Sequence, residues 1–194
     1  MIEIGYIRSI LERFEGKGIA KGYVPCDKEG KPFGASGVTI ATGLDLGQQT
    51  ASSLRAMNLP EAIINRLGLY LGAKKEEALY ILARDPLRLT ADEVESIDQA
   101  VHAAYIASAA RLFGEAAFAA APREAQAVAV SLHYQFGSPV RVASPALQGA
   151  WRAMQRGAWR AAAEHLRDPL GWSTSHQQYM RRRAGEAELL EKIK

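Results

Sequence analysis

Cysteine is almost missing from this chain of 194 residues. Cys26 stands alone, so no internal disulfide forms and the fold cannot depend on an oxidising compartment. Histidine is sparse and scattered, at His102, His133, His165 and His176. None of these builds the His-Glu-x-x-His helix of a zinc hydrolase, and no metal site is expected. No stretch reaches the roughly 18 apolar residues that span a bilayer, so stable membrane insertion is not expected. The segment Met1 to Arg8 lacks the basic opening, apolar run and cleavage site of a secretion signal. On that reading the protein is made in a cytoplasm, and a substrate outside would require another agent to release it. Internal repeats and low-complexity linkers are lacking too.

What is present is ordinary globular composition, 48% hydrophobic and 23% charged, which excludes a disordered chain. The formal charge is +3 and the pI about 9.0. That mild excess suits an anionic partner such as nucleic acid, an acidic membrane surface or a cell wall, and is also compatible with no charged partner.

Three zones follow one another. Ile4, Ile7, Leu11 and Phe14 recur at helical steps and predict a helix over residues 3–14. Residues 16–47 hold eight of the 17 glycines. They contain two β-like runs, Lys21–Val24 and Gly37–Thr42, with turn signals at Asp27–Gly30 and Pro32–Gly34. From about residue 48 onward the chain reads as helical, with about seven helices. Thr90-Ala-Asp-Glu93 has the form of a capping box. Pro86, Pro122, Pro145 and Pro169 fall where helices start or stop. Trp151 and Trp159 read as core. The expected fold is α+β but mostly α, a single domain over residues 1–194. A small antiparallel β lobe and a larger helical lobe would leave a cleft for an extended substrate.

Glu15 is the first candidate for chemistry. It closes the first helix, where the helix dipole disfavours a carboxylate. Desolvation by Phe14 would act in the same sense, and both raise a carboxyl's pKa, as a general acid requires. The plain alternative is a surface charge like Glu12. Thr39 and Asp45 form the second candidate. Alternation along a strand sends Val38 and Ile40 to the core and Thr39 to the other face. Gly43 and Gly47 permit the tight backbone that returns Asp45 to Thr39's side. A hydroxyl and a carboxylate facing a second carboxyl make a water-holding pair. Inverting glycosidases place their two carboxyls roughly 6.5–9.5 Å apart for such a water. The alternative is that Asp45 only caps the turn toward Gln48 and Thr39 is an ordinary strand threonine.

The segments Phe14-Glu15-Gly16, Gly22-Tyr-Val-Pro25 and Ser36-Gly-Val-Thr39-Ile-Ala-Thr-Gly43-Leu-Asp45-Leu-Gly-Gln48 resemble the catalytic region of pesticin-type muramidases, relatives of the phage lysozymes. Downstream, Tyr134-Gln-Phe-Gly137, Leu147 and Trp159–Ala163 are similar to phage-lysozyme core helices. Arg182-Arg183-Ala-Gly-Glu186 resembles their closing helix. The resemblance implies a lysozyme-like fold and cleavage of the β-1,4 bond between N-acetylmuramic acid and N-acetylglucosamine in peptidoglycan, without a cofactor. It implies Glu15 as acid, Thr39 and Asp45 as holders of the attacking water, and Arg182 as partner of the catalytic glutamate. Many phage lysozymes place an aspartate ahead of the threonine. Here Val24 stands there, and the nearest acid, Asp27, sits in a polar turn and is expected at the surface.

Gln135 and Tyr134 are expected to contact sugar amides, with a core role for Tyr134 equally open. Phe33 and Trp172 are further stacking candidates. The other reading of Arg182 is a solvated basic tract, Arg181–Arg183. The readings that compete with hydrolysis are a lytic transglycosylase, a non-catalytic wall-binding module and a nucleic-acid binder. The last is disfavoured because no aromatic and basic residues interleave. The context expected is a monomeric phage or prophage endolysin released by a holin. The alternative is a secreted antibacterial effector paired with an immunity protein.

Overall fold

The computed structural model describes residues 1–139, 141, 144–168 and 177–194, and the side chains of 177–179 are outside the description. Pro169 and Trp172 lie outside the described residues. The architecture is α+β and mostly helical, with one small three-stranded antiparallel sheet. Two compact units divide the chain, residues 1–14 with 105–194, and residues 15–104.

The first helix, α1 (Ile4–Glu15), buries Ile7, Ile10 and Leu11, the apolar stripe its spacing predicts. The sheet comprises β1 (Ile19–Tyr23), β2 (Thr39–Ala41) and β3 (Leu44–Asp45), in that spatial order. Between β1 and β2 the polar turn forms as read from sequence. Asp27 Oδ1 accepts from the N–H groups of Glu29 and Lys31 at 3.1 and 2.8 Å. That bonding fixes Asp27 as a turn brace, half-buried beside exposed Lys28 and Glu29.

Nine α-helices follow among the described residues, where about seven were expected from the periodicity. They are α2 (Ala51–Ala56), α3 (Glu61–Leu67), α4 (Lys75–Arg84), α5 (Ala91–Phe113), α6 (Glu115–Ala120), α7 (Arg123–Phe136), α8 (Pro145–Gln155), α9 (Trp159–Arg167) and α10 (Gln177–Glu191). The surplus comes from short helices such as α2, α3 and α6, each too short for a periodic pattern to register. The capping box forms ahead of α5. Thr90 N–H donates to Glu93 Oε2 at 2.7 Å, and Glu93 N–H donates to Thr90 Oγ1 at 3.2 Å. Pro122 stands at the N-cap of α7, and Pro145 opens α8. No described helix is long and apolar enough to cross a membrane.

Each unit has its own core. In residues 1–14 with 105–194, Trp151 is fully buried and meets the Phe113 ring edge-on, with centroids 5.5 Å apart. Trp159 packs against the same cluster. In residues 15–104 the buried set includes Val38, Ile40, Leu46, Leu54, Ile64, Leu67 and Ile97. Val38 and Ile40 are fully buried, and Thr39 and Ala41 beside them are buried too, so burial along β2 does not show the alternation read from the sequence.

Candidate active site

Glu15 is the last residue of α1, as its sequence position implied. Its expected burial is not found. Glu15 is exposed and Phe14 only half-buried. The apolar stripe ends at Leu11, one turn earlier, and Gly16 and Lys17 are exposed beyond it. The environment therefore presents this carboxyl at the surface of the folded chain.

Thr39 and Asp45 are brought together. They are direct cross-strand partners in the β2–β3 pairing, which puts their side chains on one face, with Cβ atoms about 5 Å apart. The chain reverses between them through Ala41, Thr42 and Gly43. Gly43 N–H donates to Ile40 O at 3.0 Å, and Gly43 takes φ 106°, a glycine conformation suited to a three-residue hairpin loop. Thr39 is 5% exposed, and its Oγ1 lies 3.5 Å from Gly37 O. Asp45 is half-buried.

The alternative role for Asp45, capping the following turn, is also present. Asp45 Oδ1 accepts from Gly47 N–H at 2.9 Å and from Gly37 N–H at 3.0 Å. One oxygen thus fastens both flanks of the hairpin, while Oδ2 takes no hydrogen bond from the described residues and is left for another donor. The two glycines lie back to back. A Cβ on Gly37 would stand 2.4 Å from Ala73 O and 2.5 Å from Gly47 Cα. Both obstacles are backbone, so neither moves aside alone. Gly37→Ala is expected to destabilise the protein by about 1–3 kcal/mol, the usual range for overpacking. Urea unfolding with wild-type-like midpoint and slope would contradict this close approach.

Tyr23 lies within the Gly22–Pro25 motif, where the sequence alone assigned it no role. It pairs with Thr39 across β1–β2, so Tyr23, Thr39 and Asp45 form one cross-strand row. Tyr23 is 38% exposed. The signal was available in strand alternation, since Gly22 points at Val38 and Leu87 on the core side. The loop length that sets the register is invisible to spacing alone.

The remaining candidates fall in residues 105–194. Tyr134 packs its ring against Tyr105, with centroids 4.5 Å apart, and is half-buried, as is Gln135. Gln135 Oε1 accepts from Arg183 Nη2 at 2.5 Å. Arg182 Nη2 donates to Ser131 Oγ at 2.9 Å, and Arg182 Nε reaches Glu186 Oε1 at 3.3 Å. Glu186 Oε1 also accepts from Ser131 Oγ at 2.5 Å and from Arg183 Nη2 at 2.9 Å. The reading of Arg181–Arg183 as a solvated tract is therefore corrected. Arg183 is fully buried, Arg182 nearly so, and Arg181 alone is exposed. The apolar residues of α10 lie on the arginine side, so two guanidiniums enter the packing and need Glu186 as counter-charge. Burial pushes the Glu186 carboxyl above its ordinary pKa, against the opposing pull of Arg183, Arg182 and the Ser131 hydroxyl. Phe33 is 56% exposed. Among the described residues, no group of three or more His, Cys, Asp or Glu is placed to hold a metal ion.

Comparison with known proteins adds to this geometry. The model of the family described as "Pesticin: Bacterial toxin homologue of phage lysozyme, C-term" matches residues 4–160. Matches among solved structures include a crystal structure of a P22 lysozyme mutant, 16% identical, with a TM-score of 0.49 over 98% of each chain. No curated protein matches the sequence.

Proposed function

Since the chain belongs to the family of pesticin, a bacterial toxin homologue of phage lysozyme, and is by that membership a lysozyme-type peptidoglycan hydrolase, we propose that it cleaves the β-1,4 bond between N-acetylmuramic acid and N-acetylglucosamine with inversion. The observation that carries the reading is the direct pairing of Thr39 with Asp45. A hydroxyl and a free carboxylate oxygen on one face of a hairpin suit a single water molecule. Glu15 gives its proton to the leaving glycosidic oxygen. Water attacks the anomeric carbon from the opposite face, and its proton passes to Asp45. Proton exchange with solvent then restores both carboxyls.

The exposure of Glu15 is compatible with this role. A polymer must reach the acid, and the bound glycan then supplies the water exclusion that strengthens proton transfer. In the same reading Gln135, Tyr134 and Arg182 serve the glycan, residues 1–194 act as one monomeric domain, and no cofactor takes part. The cellular setting we favour is a phage or prophage endolysin reaching the cell wall with a holin. An effector with an immunity protein would run the same chemistry.

Product analysis tests the reaction. Mass spectrometry of digested cell wall should show reducing muramic acid ends, and proton NMR should show the α-anomer first. Anhydromuramic ends would mean transglycosylation. Wall binding without released muropeptides would mean a non-catalytic module. Either result would overturn the proposal.

A further inference from the structure

A buried polar cluster outside the proposed catalytic groups holds the apex of the hairpin. Thr42 lies midway between Thr39 and Asp45. Its N–H donates to Asp98 Oδ1 at 2.9 Å, and its hydroxyl donates to the same oxygen at 2.6 Å. His102 Nε2 lies 3.2 Å from Thr42 Oγ1. The threonine hydroxyl has one proton, and the short bond to the carboxylate uses it. His102 Nε2 therefore carries a hydrogen and donates to Thr42. Thr42 and Asp98 are each 6% exposed and His102 is 0% exposed. Asp98 and His102 stand one turn apart on α5, so one helix face presents both groups.

Asp98 also touches the other catalytic segment. A Cβ on Gly18 would stand 2.5 Å from Asp98 Oδ2, and Gly18 is three residues beyond Glu15. One carboxylate thus lies against the chain leaving the acid through one oxygen and anchors the water-holding hairpin through the other. The anchor acts on backbone that does not hold itself. Ala41, next to Thr42, sits at φ 50°, a left-handed conformation that a non-glycine residue keeps only when its surroundings impose it.

We propose that Asp98, acting through Thr42 and supported by His102, is a positioning residue that sets the hairpin bearing Thr39 and Asp45 in register with the chain segment of Glu15. The proposal rests on the catalytic roles assigned above, and its test is separable from them. Thr42→Val keeps the shape and removes the hydroxyl, Thr42→Ser restores it, and Asp98→Asn removes the charge. Rates are measured on cell wall well below the unfolding temperature, alongside amide hydrogen exchange at Gly43 and Leu46.

For Thr42→Val and Asp98→Asn, kcat should fall roughly 10- to 100-fold, the effect of misplacing reacting groups by about 1 Å. KM should stay near wild type, and exchange at Gly43 and Leu46 should quicken. Thr42→Ser should recover most of kcat. A purely structural cluster would lower the unfolding temperature and leave kcat untouched in the folded variants, which would overturn the proposal. If the wild type releases no muropeptides, the hydrolase reading fails on its own. Exchange then decides the clamp, and unchanged protection in Thr42→Val would overturn it.

Discussion

Glu15→Gln is expected to leave a folded protein whose rate on cell-wall suspensions is down by about 10²- to 10⁴-fold, the usual contribution of a positioned general acid. The amide keeps the size and the hydrogen-bonding outline of the carboxyl but has no proton to give. Because Glu15 is exposed, the isosteric substitution opens no cavity in the core, and a folded protein is expected. This separation makes Glu15 a cleaner test than Asp45. Asp45 Oδ1 braces Gly37 and Gly47, so its replacement mixes lost catalysis with a loosened hairpin. Turbidity clearing and circular dichroism on the same preparation suffice. Full clearing by Glu15→Gln would remove Glu15 from the role of acid.

The largest stability effect is expected at Glu186. Glu186→Ala should cost about 3–5 kcal/mol in urea unfolding, the range for removing one partner of a buried ion pair. Both Glu186 and Arg183 have fully buried side chains. Without the carboxylate, Arg183 keeps Gln135 Oε1 as an acceptor and loses the negative charge 2.9 Å from its Nη2. Arg182 and the Ser131 hydroxyl lose an acceptor at the same time. The double substitution Arg183→Met with Glu186→Leu is expected to regain most of that stability. It removes the fully buried pair and keeps the volume, and Arg182 retains the Ser131 carbonyl and hydroxyl oxygens as acceptors. A loss under about 1 kcal/mol for Glu186→Ala would show that water reaches Arg183 in solution and that the ion pair is not a buried one.

Several features were legible because they depend on neighbours in the chain. The apolar steps of Ile7 and Leu11 gave α1. Thr90 and Glu93 gave the cap of α5, and Gly43 gave the turn that returns Asp45 toward Thr39. The polar turn at Asp27–Gly30 was legible through its own residues, whereas Asp27, expected at the surface, is half-buried because its carboxylate folds back onto the N–H groups of Glu29 and Lys31. Other features escaped for a common reason. Helices α2, α3 and α6 run six or seven residues, too few turns for a stripe to stand out. The alternative reading of Arg181–Arg183 as a solvated tract failed because charge along a sequence says nothing about which helix face meets the core. Tyr23 was passed over because its register against Thr39 depends on a loop of more than ten residues, whose closure spacing does not reveal.

The amino-acid order by itself determined the longer elements, the turn between Thr39 and Asp45 and the chemistry on offer, since each follows from backbone preferences and side-chain types a few positions apart. Family membership rested on the same local motifs. Only the tertiary structure decided that Glu15 is exposed, that Arg183 is buried against Glu186, and that Asp98 reaches Thr42 from a helix 56 positions away. Burial and long-range hydrogen bonds are properties of packing. Packing depends on which faces meet, which the order of residues along one strand or helix does not state.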